Sequence, residues 1–233
     1  MKKNIPNFLT ICNLILGWMS IYFAFNNQIN HAIFSIIIAS VFDYLDGFSA
    51  RWLKVSSKLG AQLDSLADFI TFGIAPAIII YNLSITVPFL ESLFTEGFLY
   101  LIIGLIPVFA AIRLARFNSV QQETTYFSGL PSPGFALLAI SLSIIFIENG
   151  YEFFKKIFPF IAITFASLMV VNMKFIAFKI NNFQFKNNKL LFTLIFISIV
   201  SSIILILLGY YVLILPIVLF LYLIFSIIYN FIS

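Results

Sequence analysis

The chain has 233 residues, of which 62% are hydrophobic and only 9% charged, with a formal net charge of +4 and a mean hydropathy of +1.08. A soluble domain carries roughly a quarter charged residues, so this composition excludes a water-soluble globular protein and points to an integral membrane protein. The single cysteine, Cys12, and the single histidine, His31, exclude a disulfide framework, a thiolate metal site and any histidine-based triad.

Breaks in hydrophobicity predict eight spans in chain order, at 8–26, 30–52, 61–82, 97–117, 133–149, 157–174, 190–208 and 211–230, each close to membrane-spanning length. The first run follows Lys2 and Lys3 as a signal peptide would, but no small-residue cleavage site ends it, so it reads as a retained span. Runs such as Leu190 to Ile197 are apolar on every side, which rules out the alternating strands of a membrane β-barrel. The expected fold is all-α, with residues 1–233 forming one membrane domain.

With the N-terminus inside, Lys2, Lys3, Arg51, Lys54, Lys58, Arg113, Arg116, Lys174, Lys179, Lys186 and Lys189 all fall on one side, and only Lys155 and Lys156 on the other. The positive-inside rule then predicts that both termini and the loop between the second and third spans are cytoplasmic. A basic cytoplasmic rim suits anionic lipids and accounts for the net charge without nucleic acid.

Against this background stand four aspartates, Asp43 and Asp46 in the second span and Asp64 and Asp68 in the third. An ionised side chain near a helix centre costs about 2.5–3.5 kcal/mol on insertion scales and is functional by default. Residues three and four apart share a helix face, so Asp43, Asp46, Gly47 and Ala50 line one stripe and Gly60, Asp64 and Asp68 another. The two spans are antiparallel neighbours, which predicts one shared pocket near the cytoplasmic surface. Gly47, Ala50, Gly60 and Ala61 offer small surfaces there, for close helix packing or for a bound planar group. An all-carboxylate set suits a hard cation, Mg2+ or Mn2+, and four carboxylates suit two ions clamping a phosphoryl group. Arg51 is placed to hold a phosphate oxygen or a neighbouring carboxylate. The reading from another class is a cation transporter using intramembrane aspartates.

Written out, Asp43-x2-Asp46-Gly47-x2-Ala50-Arg51-x8-Gly60-x3-Asp64-x3-Asp68 resembles, without a departure, the signature of the CDP-alcohol phosphatidyltransferase family. The resemblance implies a six-helix membrane core, here residues 1–180, extended by two helices within 181–233. It also implies a homodimer, two divalent ions on Asp43, Asp46, Asp64 and Asp68, and transfer of a phosphatidyl group from a CDP-linked lipid to an alcohol with release of CMP. Three further stretches are similar to the phosphatidylserine synthase branch: Ile5-Pro6-Asn7-Phe8-Leu9-Thr10-x2-Asn13, Arg113-Leu-Ala-Arg116-Phe117-Asn118, and Phe127-Ser-Gly129-Leu-Pro131-Ser132-Pro133. That likeness implies L-serine as acceptor and CDP-diacylglycerol, or its ether counterpart CDP-archaeol, as donor. Glycerol 3-phosphate or inositol phosphate is the alternative acceptor. Asp68 takes the role of general base by its match to the family residue. Asn7, Thr10, Gly47, Ala50, Arg51 and Gly60 are expected at the nucleotide, and Arg113 and Arg116 at the serine carboxylate or the lipid phosphate. Asn7 and Thr10 could instead cap the first helix, and the two arginines could be ordinary basic anchors.

Overall fold

Two long antiparallel helices open the structure, a computed structural model that describes residues 4–55, 57–119, 126–149, 151–176 and 189–232. Lys2, Lys3, Lys179 and Lys186, and the expected boundary at 180–181, lie outside the described residues. Helix α1 (Asn4–Phe25) and α2 (Ile29–Leu53) turn back on each other at Asn27, whose φ of 58° is left-handed, a conformation asparagine tolerates. Lys54 ends α2 with φ 51°. Helix α3 (Lys58–Asp68) starts on Ser57, whose hydroxyl accepts the Gly60 amide, an ordinary N-cap.

After Asp68 the helix does not stop but widens into a π-helical turn, Phe69–Ile74, before resuming as α4 (Ala75–Ser84). Pro76 in the first turn of α4 has no N–H to give and its ring displaces the carbonyl a turn earlier; the wider register takes up that misfit, and such bulges gather at functional sites. The π turn packs against both α1 and α7 (Leu105–Ser119). A Cβ on Gly17 would lie 2.9 Å from the Thr71 backbone, so only glycine lets α1 approach this closely.

Short helices α5 (Pro88–Leu93) and α6 (Glu96–Ile103) lead into α7. Then follow α8 (Ser132–Asn149), α9 (Glu152–Ser167), α10 (Lys189–Leu207) and α11 (Ile214–Ile232), the last entered through a 3-10 turn at Tyr211–Leu213. Six segments are long and apolar enough to cross a membrane: Asn4–Phe25, Ile29–Leu53, Lys58–Ser84, Glu96–Ser119, Leu190–Leu207 and Tyr211–Asn230. The expected fifth span is the shorter apolar helix Ser132–Glu148. The expected sixth, α9, carries Lys155 and Lys156 in its first turns and ends at Ser167, so its uninterrupted apolar stretch covers only about half of a ~30 Å hydrocarbon layer. Six of the eight expected spans are thus met by length and composition.

Side chains are sorted as a membrane solvent demands. Phe8, Trp18, Phe34, Phe196 and Leu207 face outward, while Thr10, Asn13, Ser20, Thr71 and Ser84 are buried, small and polar groups serving the helix contacts. The serine hydroxyls close onto backbone carbonyls, Ser20 on Ala32 at 2.9 Å and Ser84 on Ile80 at 2.7 Å. The chain is a multi-pass membrane protein.

Among the described residues, one feature departs from an all-helical fold. Strands β1 (Tyr126–Ser128) and β2 (Lys174–Ile176) pair antiparallel, Phe127 opposite Phe175. Asn230 of α11 replaces a third strand, its amide accepting from the Lys174 N–H at 2.9 Å and donating to the Lys174 carbonyl at 2.8 Å. Gly129 leaves β1 with φ 76°, and any side chain there would run into the Met169 carbonyl, which its Cβ would approach to 2.3 Å. This small ladder ties the segment before α8 to the chain after α9.

Candidate active site

Helices α2 and α3 deliver the carboxylates, and the structure gathers Asp43, Asp64 and Asp68 so that one oxygen from each lies within 4.8 Å of the others. Three oxygens within 4.8 Å of one another can all lie within about 2.8 Å of a common point, against metal–oxygen distances of about 2.1 Å for Mg2+ and about 2.3–2.6 Å for Ca2+. A hard divalent cation therefore fits the trio after a closure of less than about 1 Å. Asp68, 9% exposed, keeps its Oδ1 buried with no hydrogen-bond partner, a lone pair that a cation or a proton would satisfy. The donor set is all carboxylate, and the residues fit the metal.

Asp46 stands apart from this trio. It is 6% exposed, and its Oδ2 accepts the Thr10 hydroxyl at 2.7 Å. The same hydroxyl lies 3.0 Å from the Pro6 carbonyl, but it has one proton, and the shorter contact to a charged acceptor is the stronger. Helix α1 thereby orients a carboxylate on α2.

Beside the carboxylates opens a cavity of about 400 Å³, lined among others by Asn7, Thr10, Asp46, Gly47, Gly60 and Asp64. Asp46 and Asp64 thus belong to the cavity wall. Ala50 lines it as well, together with Ser57 and Ala61. A Cβ on Gly47 would meet only Arg51 Nη1, at 3.6 Å, so this glycine keeps the wall open. One on Gly60 would come within 2.8 Å of Asn7 Oδ1, so α3 rests close on the start of α1. Helix α1 is already formed at Asn4, which places Asn7 and Thr10 inside it and removes the capping alternative for both.

The two arginines of α7 part ways. Arg113 is 8% exposed, donates to Ser132 Oγ at 2.7 Å, stacks its guanidinium 5.9 Å from the Phe117 ring centre and leaves Nε buried without a partner. Arg116 is exposed and donates to the Val170 carbonyl at 2.7 Å. One turn of helix separates a buried cation from a rim cation. At the same end of α7, Asn118 donates to Ser65 at 2.9 Å, clasping α7 to α3.

Residue type alone points to no functional role for Ser57, Ser132 or Asn13. Ser57 reads as a helix start and Ser132 as part of a Pro-flanked one, while the place of Asn13 in the first motif was the only signal it carried. Cys12 is partly buried and unpaired.

Residues 3–168 match the family described as CDP-alcohol phosphatidyltransferase. Among curated proteins, the CDP-diacylglycerol–serine O-phosphatidyltransferase of Helicobacter pylori strain 26695 is 36% identical over 208 residues, covering 84% of this chain and 80% of that protein. The protein of the same name from Bacillus subtilis is 34% identical over 60% of this chain and 75% of its own length. The archaetidylserine synthase of Methanothermobacter thermautotrophicus is 31% identical over 69% of this chain and 65% of its own length.

Proposed function

The chain belongs to the CDP-alcohol phosphatidyltransferase family, and on that premise we propose that it moves a phosphatidyl group from CDP-diacylglycerol, or CDP-archaeol, to L-serine. The products are phosphatidylserine, or its ether analogue, and CMP. One observation carries the reading: the carboxylate trio and the 400 Å³ cavity share a wall through Asp64, with Asp46 beside it, so a nucleotide in the cavity lays its pyrophosphate against the carboxylates. Serine as acceptor draws on the names of the relatives above.

In this scheme the cytidine lies against Gly47, Ala50 and Gly60, where added side chains would take its space, with Asn7 and Arg51 at its edge. Asp43, Asp46, Asp64 and Asp68 would hold two Mg2+ or Mn2+ ions, which supply positive charge to the pyrophosphate and to the departing phosphate. Asp68 accepts the proton of the serine hydroxyl. The serine oxygen forms a bond to the lipid-side phosphorus, the bond from that phosphorus to the CMP oxygen breaks, and CMP carries away the electron pair. Thr10 keeps the Asp46 carboxylate turned to its task through the 2.7 Å bond. Arg113 takes the serine carboxylate, and Arg116, at the rim, the lipid phosphate. Active-site chemistry faces the cytoplasm in the orientation that the basic residues favour, and the enzyme acts as a homodimer.

An acceptor panel tests the proposal. Purified protein with CDP-diacylglycerol should release CMP and make labelled lipid with serine, and not with glycerol 3-phosphate or inositol phosphate, and EDTA should abolish the reaction. Release of CMP with glycerol 3-phosphate alone would replace serine by that acceptor; full activity in EDTA would sink the metal assignment.

A further inference from the structure

Among the described residues, three side chains bury polar atoms that find no hydrogen-bond partner: Asn13 with both Nδ2 and Oδ1, Asp68 with Oδ1, and Arg113 with Nε. Native proteins pair nearly all such groups, so three orphans invite one explanation if they lie together. They surround the start of the π turn. Asn13, fully buried on α1, accepts on its carbonyl from the Thr71 hydroxyl at 3.2 Å, and Thr71 is one residue short of a full turn past Asp68. Thr10, on the same buried face of α1, holds Asp46. From the other side, Ala110 lies against Gly73, where a Cβ would be 3.0 Å from the Ala110 Cβ, and Arg113 follows Ala110 on the same face of α7.

The unmet groups define what would complete them. Asp68 Oδ1 accepts a proton donor, Arg113 Nε donates within a charged guanidinium, and the neutral amide of Asn13 both donates and accepts. A molecule with one hydroxyl, one carboxylate and one ammonium meets all of them. A phosphorylated alcohol brings close to two negative charges to a place where Arg113 is the buried cation and Arg116 is turned onto Val170. We infer that Asn13 is a specificity-determining residue of the acceptor subsite, its Nδ2 donating to the carboxylate and its Oδ1 accepting from the ammonium of a β-hydroxy-α-amino acid. This deepens the functional reading above and rests on it.

Asn13→Ala and the more conservative Asn13→Ser test the inference. Each should raise the KM for serine by about 10–100-fold, the loss expected for hydrogen bonds to charged groups, while the KM for CDP-diacylglycerol stays within about twofold of wild type. A purely structural role would lower folded yield or move both constants together, and an unchanged serine KM in either well-folded variant overturns the subsite. A second measurement needs no variant: serinamide and N-acetylserine each lack one of the charges, and each should compete with serine at least about 10-fold less well in the wild-type enzyme. Equal competition by both overturns the inference. A wild type that turns over glycerol 3-phosphate and ignores serine overturns the functional reading itself, which is a different result from a serine-using enzyme indifferent to Asn13.

Discussion

Replacing Thr10 by valine exchanges a hydroxyl for a methyl of nearly the same size at a position only 3% exposed. The bond removed is the 2.7 Å donation to Asp46 Oδ2, a charge-assisted contact worth about 1.5–3 kcal/mol. That range corresponds to a factor of about 10–100 in an equilibrium constant, the same loss commonly seen when a group that orients a metal-binding carboxylate is removed. Because the methyl fills the hydroxyl's space and Asp46 borders the cavity, where water can take up its freed lone pair, thermal unfolding in detergent should shift by only a few degrees. The assay is a Mg2+ titration of CMP release at saturating CDP-lipid and serine. Thr10→Val should raise the half-saturating Mg2+ concentration by about 10–100-fold, with activity largely restored at high metal, and Thr10→Ser should stay close to wild type. A valine variant with the wild-type Mg2+ titration would refute the coupling from α1 to Asp46, as would a serine variant displaced as far as the valine one.

Asp68→Asn removes the proposed proton acceptor and should lower turnover by about 10²–10⁴-fold while CDP-lipid still binds; a near wild-type rate in steady-state CMP release would take Asp68 out of that role. Gly17→Ala sets a methyl 2.2 Å from Thr71 Oγ1 and 2.9 Å from its Cα, so overpacking of about 1–3 kcal/mol is expected. Differential scanning calorimetry in detergent should show a clearly lower Tm, and an unchanged one would mean that α1 and the π turn do not meet as described. Lys58→Cys, in a Cys12→Ser background, should react with an impermeant maleimide only from the cytoplasmic side in sealed vesicles. Labelling from outside would invert the orientation drawn from the basic residues.

The carboxylate trio is legible in the sequence because carboxylates are costly in hydrocarbon and because helical spacing is strict. Asp43, Asp64 and Asp68 meet as their face positions require. The same logic reached Gly47, Ala50 and Gly60 on the cavity wall. It did not separate Asp46 from the trio, since sequence spacing places Asp43 and Asp46 on one face equally, and only the Thr10 hydroxyl arriving from α1 distinguishes them. Nor did it separate Arg113 from Arg116. Their three-residue spacing is a property of α7 alone, whereas the burial of one against Ser132 and the turning of the other to Val170 depend on segments 19 and 54 positions away. The shortened sixth span has a similar origin, since hydropathy alone runs past Ser167 while the chain leaves the helix there to pair β2 with β1.

Sequence by itself determined that this chain lives in a membrane, that it is built of helices, and that four aspartates stand on two neighbouring spans. Those features follow from transfer energies and helical periodicity, which act residue by residue along the chain. Tertiary structure decided which aspartate is tethered to α1, which arginine is buried, and that the buried Asn13 amide is left without a hydrogen-bond partner. Hydrogen bonds between distant segments settle such matters, and a buried asparagine, serine or arginine takes its role from the partner that packing brings to it or withholds.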